Sequence, residues 1–428
     1  MKKIDVLIVY EHVVRELESA ILLKKKLQKK GLSVKIVQCA WTEPVARLKY
    51  KPKLLITPWC YDDVDFDFWR GYIGGYVGKK YKIINLHCEQ LGSTEASEFL
   101  IPTGKSKEVY HFVWGEYFAD LLVSNGVNKE KITVTGSPRI DFYKFPFSNI
   151  SINKDELSKK YFLNPNKKWV LIIGNFSGAV LKNEDLSKLE LRGYKNTDLL
   201  KEVVLKTYND LIEWMNFVCA SDFVHENCEI IYRPHPSEYE TDVLKKLEEE
   251  FSCFHIIRDY TIRDWMLNSD VLYAWNSTSA IEAVFAEKPI WFLRPEPIPS
   301  SLQLPLLEKV EKIQSQEDFL ESIKTDNVEN LNELFKNDIK YYYDVNLKST
   351  VDRMVDAIIQ IIQDEGNLIV SRNIGLKDVI RILKLGLKKI LLKIGVIKRL
   401  PKFSIDYKDF LNKKEYESYV KRIDQIGE

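Results

Sequence analysis

Tyr232-Arg233-Pro234-His235-Pro236-Ser237-Glu238 and Ser269-Asp270-Val271-Leu272-Tyr273-Ala274-Trp275-Asn276-Ser277-Thr278-Ser279-Ala280-Ile281-Glu282-Ala283 are the two stretches that decide the architecture. In each, a short apolar run ends in polar residues and a helical pattern follows. In an open α/β sheet the carboxyl ends of the strands face the ligand crevice, and free N–H groups at helix starts attract anions. The pair predicts a phosphate-binding edge and points to a nucleotide or a nucleotide-activated substrate.

Outward from these stretches, short apolar runs alternate with helical patterns. In the first half the runs are 6–10, 33–38, 54–57, 82–86, 109–114 and 132–135, with helices over 14–30 and 116–125 closed by Gly31 and Gly126. Around 143–166 the pattern breaks into Pro-, Asn-, Lys- and Ser-containing sequence, and a second series begins at 169–173. It continues through 229–232, 254–257, 271–274 and 290–293, with helices near 196–220, 262–268 and 279–286. Such alternation predicts parallel sheets flanked by helices. The expectation is an α/β chain of two Rossmann-like domains, 1–145 and 146–366, with a cleft between them.

A third segment, 367–428, differs in composition. Leu376, Val379, Ile380, Leu383, Leu387, Ile390, Leu391, Ile394 and Ile397 fall at helical spacing, and nine Lys and Arg residues between Lys377 and Lys402 fill the other face. A basic amphipathic helix over 375–402 can lie on an anionic membrane surface. It can also pack on the body with a solvated basic face.

The chain has 428 residues, with 63 Lys and Arg against 62 Asp and Glu, a formal charge of +1 that gives no global pull toward nucleic acid. Six cysteines are scattered without paired spacing, as in a reducing compartment. The first ten residues read as a strand rather than a leader, and no run of uncharged apolar residues approaches membrane-spanning length. A cytoplasmic protein is expected.

The chemistry-bearing residues gather at the strand ends. Arg233 and His235, stiffened by Pro234 and Pro236, supply a cation and an imidazole to stabilise a leaving phosphate. Alternatively, Arg233 pairs with Glu238 and His235 caps a loop. Asn276, Ser277, Thr278 and Ser279 offer hydroxyls and N–H groups to phosphate oxygens, with Glu282 toward a ribose hydroxyl. The competing account is a capping box between Ser279 and Glu282. In the first half, His87 and Glu89 follow a strand, and either is a candidate general base toward an acceptor hydroxyl. Two glycine-containing turns, Gly174-Asn175-Phe176-Ser177 and Gly136-Ser137-Pro138-Arg139, bring N–H groups toward a phosphate or serve only as turns. Neither is a Walker loop or a GxGxxG fingerprint. The acidic cluster Asp62, Asp63, Asp65 and Asp67 reads as a solvated loop, and no metal site is expected.

With His235-Pro236 and Ser277-Thr278-Ser279 in view, the second half resembles the nucleotide-binding half of GT-B glycosyltransferase-like enzymes that build bacterial surface polysaccharides. The resemblance extends to Trp114-Gly115-Glu116-Tyr117, to Thr135-Gly136-Ser137-Pro138-Arg139-Ile140-Asp141 and to Leu171 through Ser177. It is closest to the surface carbohydrate biosynthesis proteins, with kinship to Kdo transferases, GT-B sialyltransferases and CDP-glycerol glycerophosphotransferases. His87-Cys88-Glu89-Gln90 matches more loosely, Cys88 and Gln90 departing from the acidic or glycine residues of relatives. The resemblance implies transfer of a sugar from a nucleotide donor, foremost a CMP-linked ulosonic acid, to a glycan or lipid-linked glycan at the inner face of the cytoplasmic membrane. It implies no further cofactor. Transfer from a CDP-linked glycerol or ribitol is the alternative, and a non-catalytic glycan-assembly scaffold is a third reading.

Overall fold

The structure is a computed structural model and describes residues 2–73, 82–176, 179, 187, 190, 196–236, 238, 241–308, 310–325, 338–345, 348–363, 376–395 and 411–426. Ser177 and the tail positions 375 and 396–402 lie outside the described residues. The chain forms two compact units: the first holds Met1–Gln90, Leu100–Ile150 and Ile339–Glu428, the second Leu91–Phe99 and Ser151–Asp338.

In the first unit six strands run parallel: β1 Lys2–Tyr10, β2 Val34–Gln38, β3 Tyr50–Thr57, β4 Ile83–Asn85, β5 Tyr110–Val113 and β6 Ile132–Val134. Their order is β2-β1-β3-β4-β5-β6. Val6 to Val9 and Leu54 to Ile56 are buried, as strands covered on both faces require.

The second unit holds β7 Lys168–Ile173, β8 Cys228–Arg233, β9 Phe254–Ile256, β10 Val271–Ala274, β11 Ile290–Leu293 and β12 Lys312–Ile313. All six are parallel, in the order β12-β11-β10-β7-β8-β9. The order reverses between β7 and β10. In open α/β sheets ligands bind at such a switch point, outside the carboxyl ends of the strands.

One assignment from sequence changes. Helix Thr350–Gln363, expected within the second domain, belongs to the first unit. Its Val351, Met354, Val355, Ile358 and Ile361 form one apolar stripe, packed in a single cluster with Leu17, Ala20 and Ile21 of helix Val13–Lys29. Nor is the tail uniform: helix Lys413–Asp424 packs on the same helix through Ile423 and through Arg422, whose Nη2 lies 2.9 Å from Glu18.

The motif Gly136 to Asp141 is what receives this returning chain. Asp141 accepts the N–H groups of Thr350 and Val351, each at 2.9 Å, capping the helix start. Gly136 has φ +88°, and a Cβ there would lie 2.6 Å from Thr350 Oγ1 and 2.9 Å from the Asp344 carbonyl. At Gly115 a Cβ would fall 2.5 Å from the Tyr341 carbonyl. Trp114 stacks on Tyr343 with ring centroids 5.4 Å apart.

Candidate functional site

In the second unit the loops after β7, β8 and β10 are tied together at the switch point. The Gly174 N–H donates to the Arg233 carbonyl at 2.9 Å. A Cβ on Gly174 would lie 2.8 Å from Tyr232 Oη and 3.0 Å from Glu238 Oε2, so only glycine lets β7 end this close. Glu238 is 1% exposed and accepts three bonds: from the Tyr232 hydroxyl at 2.5 Å, the Phe176 N–H at 3.0 Å and the His235 N–H at 3.3 Å. Burial pushes its carboxyl pKa up against the opposing effect of these donors. Glu238 was considered from sequence only as a partner for Arg233. Its actual role is to fix the backbone of the His235 loop, with the half-buried His235 side chain on it.

Arg233 does not pair with Glu238. Its Nη1 donates to the Asp259 carbonyl at 2.7 Å and its Nη2 to that of Tyr260. Arg233 is buried and its guanidinium clamps the loop after β9, so the cation expected for a phosphate is engaged with backbone oxygens.

Across the switch point, Asn175 Nδ2 donates to the Asn276 carbonyl at 2.5 Å, and Phe176 stacks on Trp275 with centroids 5.2 Å apart. Asn276 binds the Leu302 carbonyl and the Leu304 N–H through its amide, at 2.9 and 3.2 Å. Ser277 is buried and its Oγ accepts the Ser279 N–H at 3.3 Å. Helix Ser279–Phe285 starts one residue earlier than the capping-box account requires: Thr278 is the cap residue, in αR geometry and without a side-chain cap bond. Glu282 is therefore not the third residue of a box, and it is buried.

In the first unit His87 is fully buried, at φ +46°. Its Nε2 lies 2.8 Å from His111 Nδ1, its ring edge meets Phe118, and its N–H donates to Asn85 at 3.1 Å. Burial, and after it the neighbouring imidazole, hold its pKa well below the usual histidine value, while burial takes His111 to about 4. A base must touch its substrate, and His87 is enclosed by side chains; the expectation of a catalytic His87 is corrected. Gln90 is a brace: its amide donates to the Leu86 and Phe112 carbonyls and accepts the Trp114 N–H at 2.7 Å.

Beside this core a small pocket of about 60 Å³ opens at the carboxyl ends of β1, β5 and β6, lined by Arg15, Glu16, Cys88, Trp114, Ser137 and Arg139 among others. Gly136, Ser137 and Arg139, candidates from sequence, all reach it. Ser137 Oγ is buried, with no hydrogen-bond partner among the described residues. Burial disfavours the Arg15 cation, but the nearby carboxylates of Glu16, Glu89 and Glu11 oppose it, and its pKa is raised. Glu89 thus belongs to the charged neighbourhood of the pocket. Arg15 and Glu16, on helix Val13–Lys29, were not singled out because amphipathic helix surfaces carry such pairs routinely.

Among the described residues no group of three or more His, Cys, Asp or Glu is arranged to hold a metal ion. The acidic run near Asp62 is used locally: Asp62 accepts the Asp65 N–H at 2.8 Å and Asp63 that of Lys105 at 2.7 Å.

The chain is similar in fold to the wall teichoic acid polymerase TagF, with TM-score 0.53 and 11% identity over 84% of this chain and 89% of that one. The fold is GT-B. The chain is also similar to UDP-GlcNAc 2-epimerase from Neisseria meningitidis bound to UDP-GlcNAc, with TM-score 0.46 and 14% identity over 85% of this chain and 100% of that one. No protein-family model and no curated protein matches the sequence. At such identities the likeness is one of fold.

Proposed function

We propose that this chain is a transferase that draws on a nucleotide-activated donor, with a cytidine nucleotide foremost, to build a bacterial surface glycan. The observation that carries the reading is the convergence of three strand-end loops at the switch point of the second sheet. Asn175, His235, Ser277 and Thr278 lie on these loops, braced by Glu238 and Asn276. His235 and the hydroxyls hold the phosphate of the donor and stabilise it as the leaving group, while Arg233 positions the loop beneath them. The acceptor hydroxyl is bound by the first unit, where Glu16 of the pocket lining, or Glu89 nearby, takes its proton. No metal or organic cofactor enters the scheme.

Two donors fit this chemistry. With a CMP-linked ulosonic acid, the bond between the anomeric carbon and the phosphate oxygen breaks. With a CDP-linked glycerol or ribitol, a P–O bond of the diphosphate breaks and CMP leaves. The second reading is favoured by the likeness to TagF, a wall teichoic acid polymerase whose structures include one soaked with CDPG at TM-score 0.51.

The work is done at the inner face of the cytoplasmic membrane. Helix Leu376–Lys393 buries Leu385 against Trp41 and exposes a row running Leu376, Ile380, Leu383, Leu387 and Ile390, continued by Ile394 beyond its end. Lysines flank the row, which suits an anionic lipid surface. Among the described residues no helix is long and apolar enough to cross a membrane.

A thermal-shift panel of CMP, CDP, UDP, GDP and dTDP on the full chain tests the donor site, because any ligand bound to the folded state raises its stability. A cytidine nucleotide is expected to give the largest shift, and His235→Ala to reduce it. No shift with any nucleotide contradicts the proposal.

A further inference from the structure

Arg294 follows β11 directly and is 4% exposed. All three of its guanidinium nitrogens are buried, with no hydrogen-bond partner among the described residues. A guanidinium carries five N–H donors, and a buried charge lacking an acceptor is strongly destabilising. Burial lowers the pKa of Arg294 to about 10. On the adjacent strand β12, Lys312 is lowered too, by burial and then by Arg294, so the neighbouring charge is a second cation.

The position of Arg294 explains what such a group is for. Strands β10 and β11 run in register, Tyr273 opposite Trp291 and Ala274 opposite Phe292, and carrying that register two residues past the strand ends would bring Arg294 level with Asn276. The backbone of Arg294 still follows the sheet, its N–H donating to the Ile313 carbonyl at 2.8 Å. Trp275 and Leu293 belong to the apolar cluster on one face, and alternation puts Asn276 and Arg294 toward the other. The loop that begins at Arg294 then returns to the Asn276 amide through Leu302 and Leu304.

We infer that Arg294 is an anion-binding residue of the donor site, taking phosphate oxygens of the nucleotide in a forked, charge-assisted pair of hydrogen bonds. The inference rests on the donor reading above. It transfers to Arg294 the role expected of Arg233, whose guanidinium is occupied by carbonyls. Arg233 shapes the loop; Arg294 meets the ligand. Its planar fork matches a phosphate in a way that Lys312 does not.

Calorimetric titration of the full chain tests this with CDP, CMP, cytidine and inorganic phosphate, on wild type, Arg294→Met and Arg294→Lys. Arg294→Met is expected to weaken CDP binding by about 10- to 100-fold, the worth of a charged hydrogen bond. Cytidine binding should not change. The ligand-free Arg294→Met protein should melt no lower than wild type, since an unpartnered buried charge is replaced by an apolar chain of similar length. Arg294→Lys, which keeps the charge and loses the fork, should also bind CDP more weakly than wild type. Wild-type CDP affinity in either variant overturns the inference and leaves the donor site standing. Wild-type protein that binds none of the nucleotides overturns both. If inorganic phosphate binds wild type as tightly as CDP and both are lost together in the variants, the site serves free phosphate, and the nucleotide assignment falls.

Discussion

Removing the Glu238 carboxylate leaves the Tyr232 hydroxyl and the N–H groups of Phe176 and His235 without their acceptor in a buried place. Glu238→Ala is expected to lower unfolding free energy by about 2–5 kcal/mol in urea denaturation. Glu238→Gln, which keeps one oxygen for the two N–H groups, should cost much less; equal losses would contradict the bracing role. The buried histidine pair gives a pH signature. A histidine whose folded pKa is depressed contributes stability fully present above its ordinary value of 6.5 and lost as pH falls through the folded value, about 4 for His111. Unfolding free energy should fall by roughly 3 kcal/mol over that window on account of His111, and His111→Gln should flatten this part of the profile. At this scale the sequence was legible where chemistry is local. His235 between two prolines and the Ser277–Thr278 hydroxyls stand out as candidates from local sequence, whereas the bonds of Glu238 and the enclosure of His87 depend on what lies across the fold. Arg233 looked like a free cation because the carbonyls that hold it come from residues 257–260, on another strand's loop.

Elements were legible in proportion to their length and periodicity. Eleven of the twelve strands coincide with apolar runs in the sequence; β12 spans only Lys312–Ile313, too short to leave a pattern. Helix Thr350–Gln363 shows its apolar stripe plainly, but a stripe identifies a face and not its partner. Its dependence on Asp141 is testable: Asp141→Ala should reduce stability by about 1–3 kcal/mol, with Asp141→Asn retaining part of the cap. No loss in the Ala variant would contradict the capping bonds. Helix Leu376–Lys393 combines both sequence readings of the tail, since Leu385 packs on the body while Leu383 and Leu387 stay 68% and 58% exposed. Replacing these two leucines by glutamate should weaken binding to phosphatidylserine vesicles on the order of 100-fold. Unchanged binding removes the lipid proposal.

The molecule as a whole is two parallel six-stranded sheets built by a chain that returns. After completing the second unit it adds helices Thr350–Gln363 and Lys413–Asp424 to the first, where they cover helix Val13–Lys29. Alternating runs along the sequence foretell two Rossmann-like sheets, but not that return, because contacts between residues more than three hundred positions apart leave no local mark. The GT-B fold admits several chemistries, and what separates them is which groups meet the donor. The account places the donor phosphate at the ends of β7, β8 and β10, with Arg294 behind Asn276. A crystal structure of the full chain with CDP tests this most directly. It should show the phosphates bonded by His235, Ser277 or Thr278 and by the Arg294 guanidinium. Density for CDP elsewhere, with these side chains untouched and Arg294 still without an acceptor, would contradict the account.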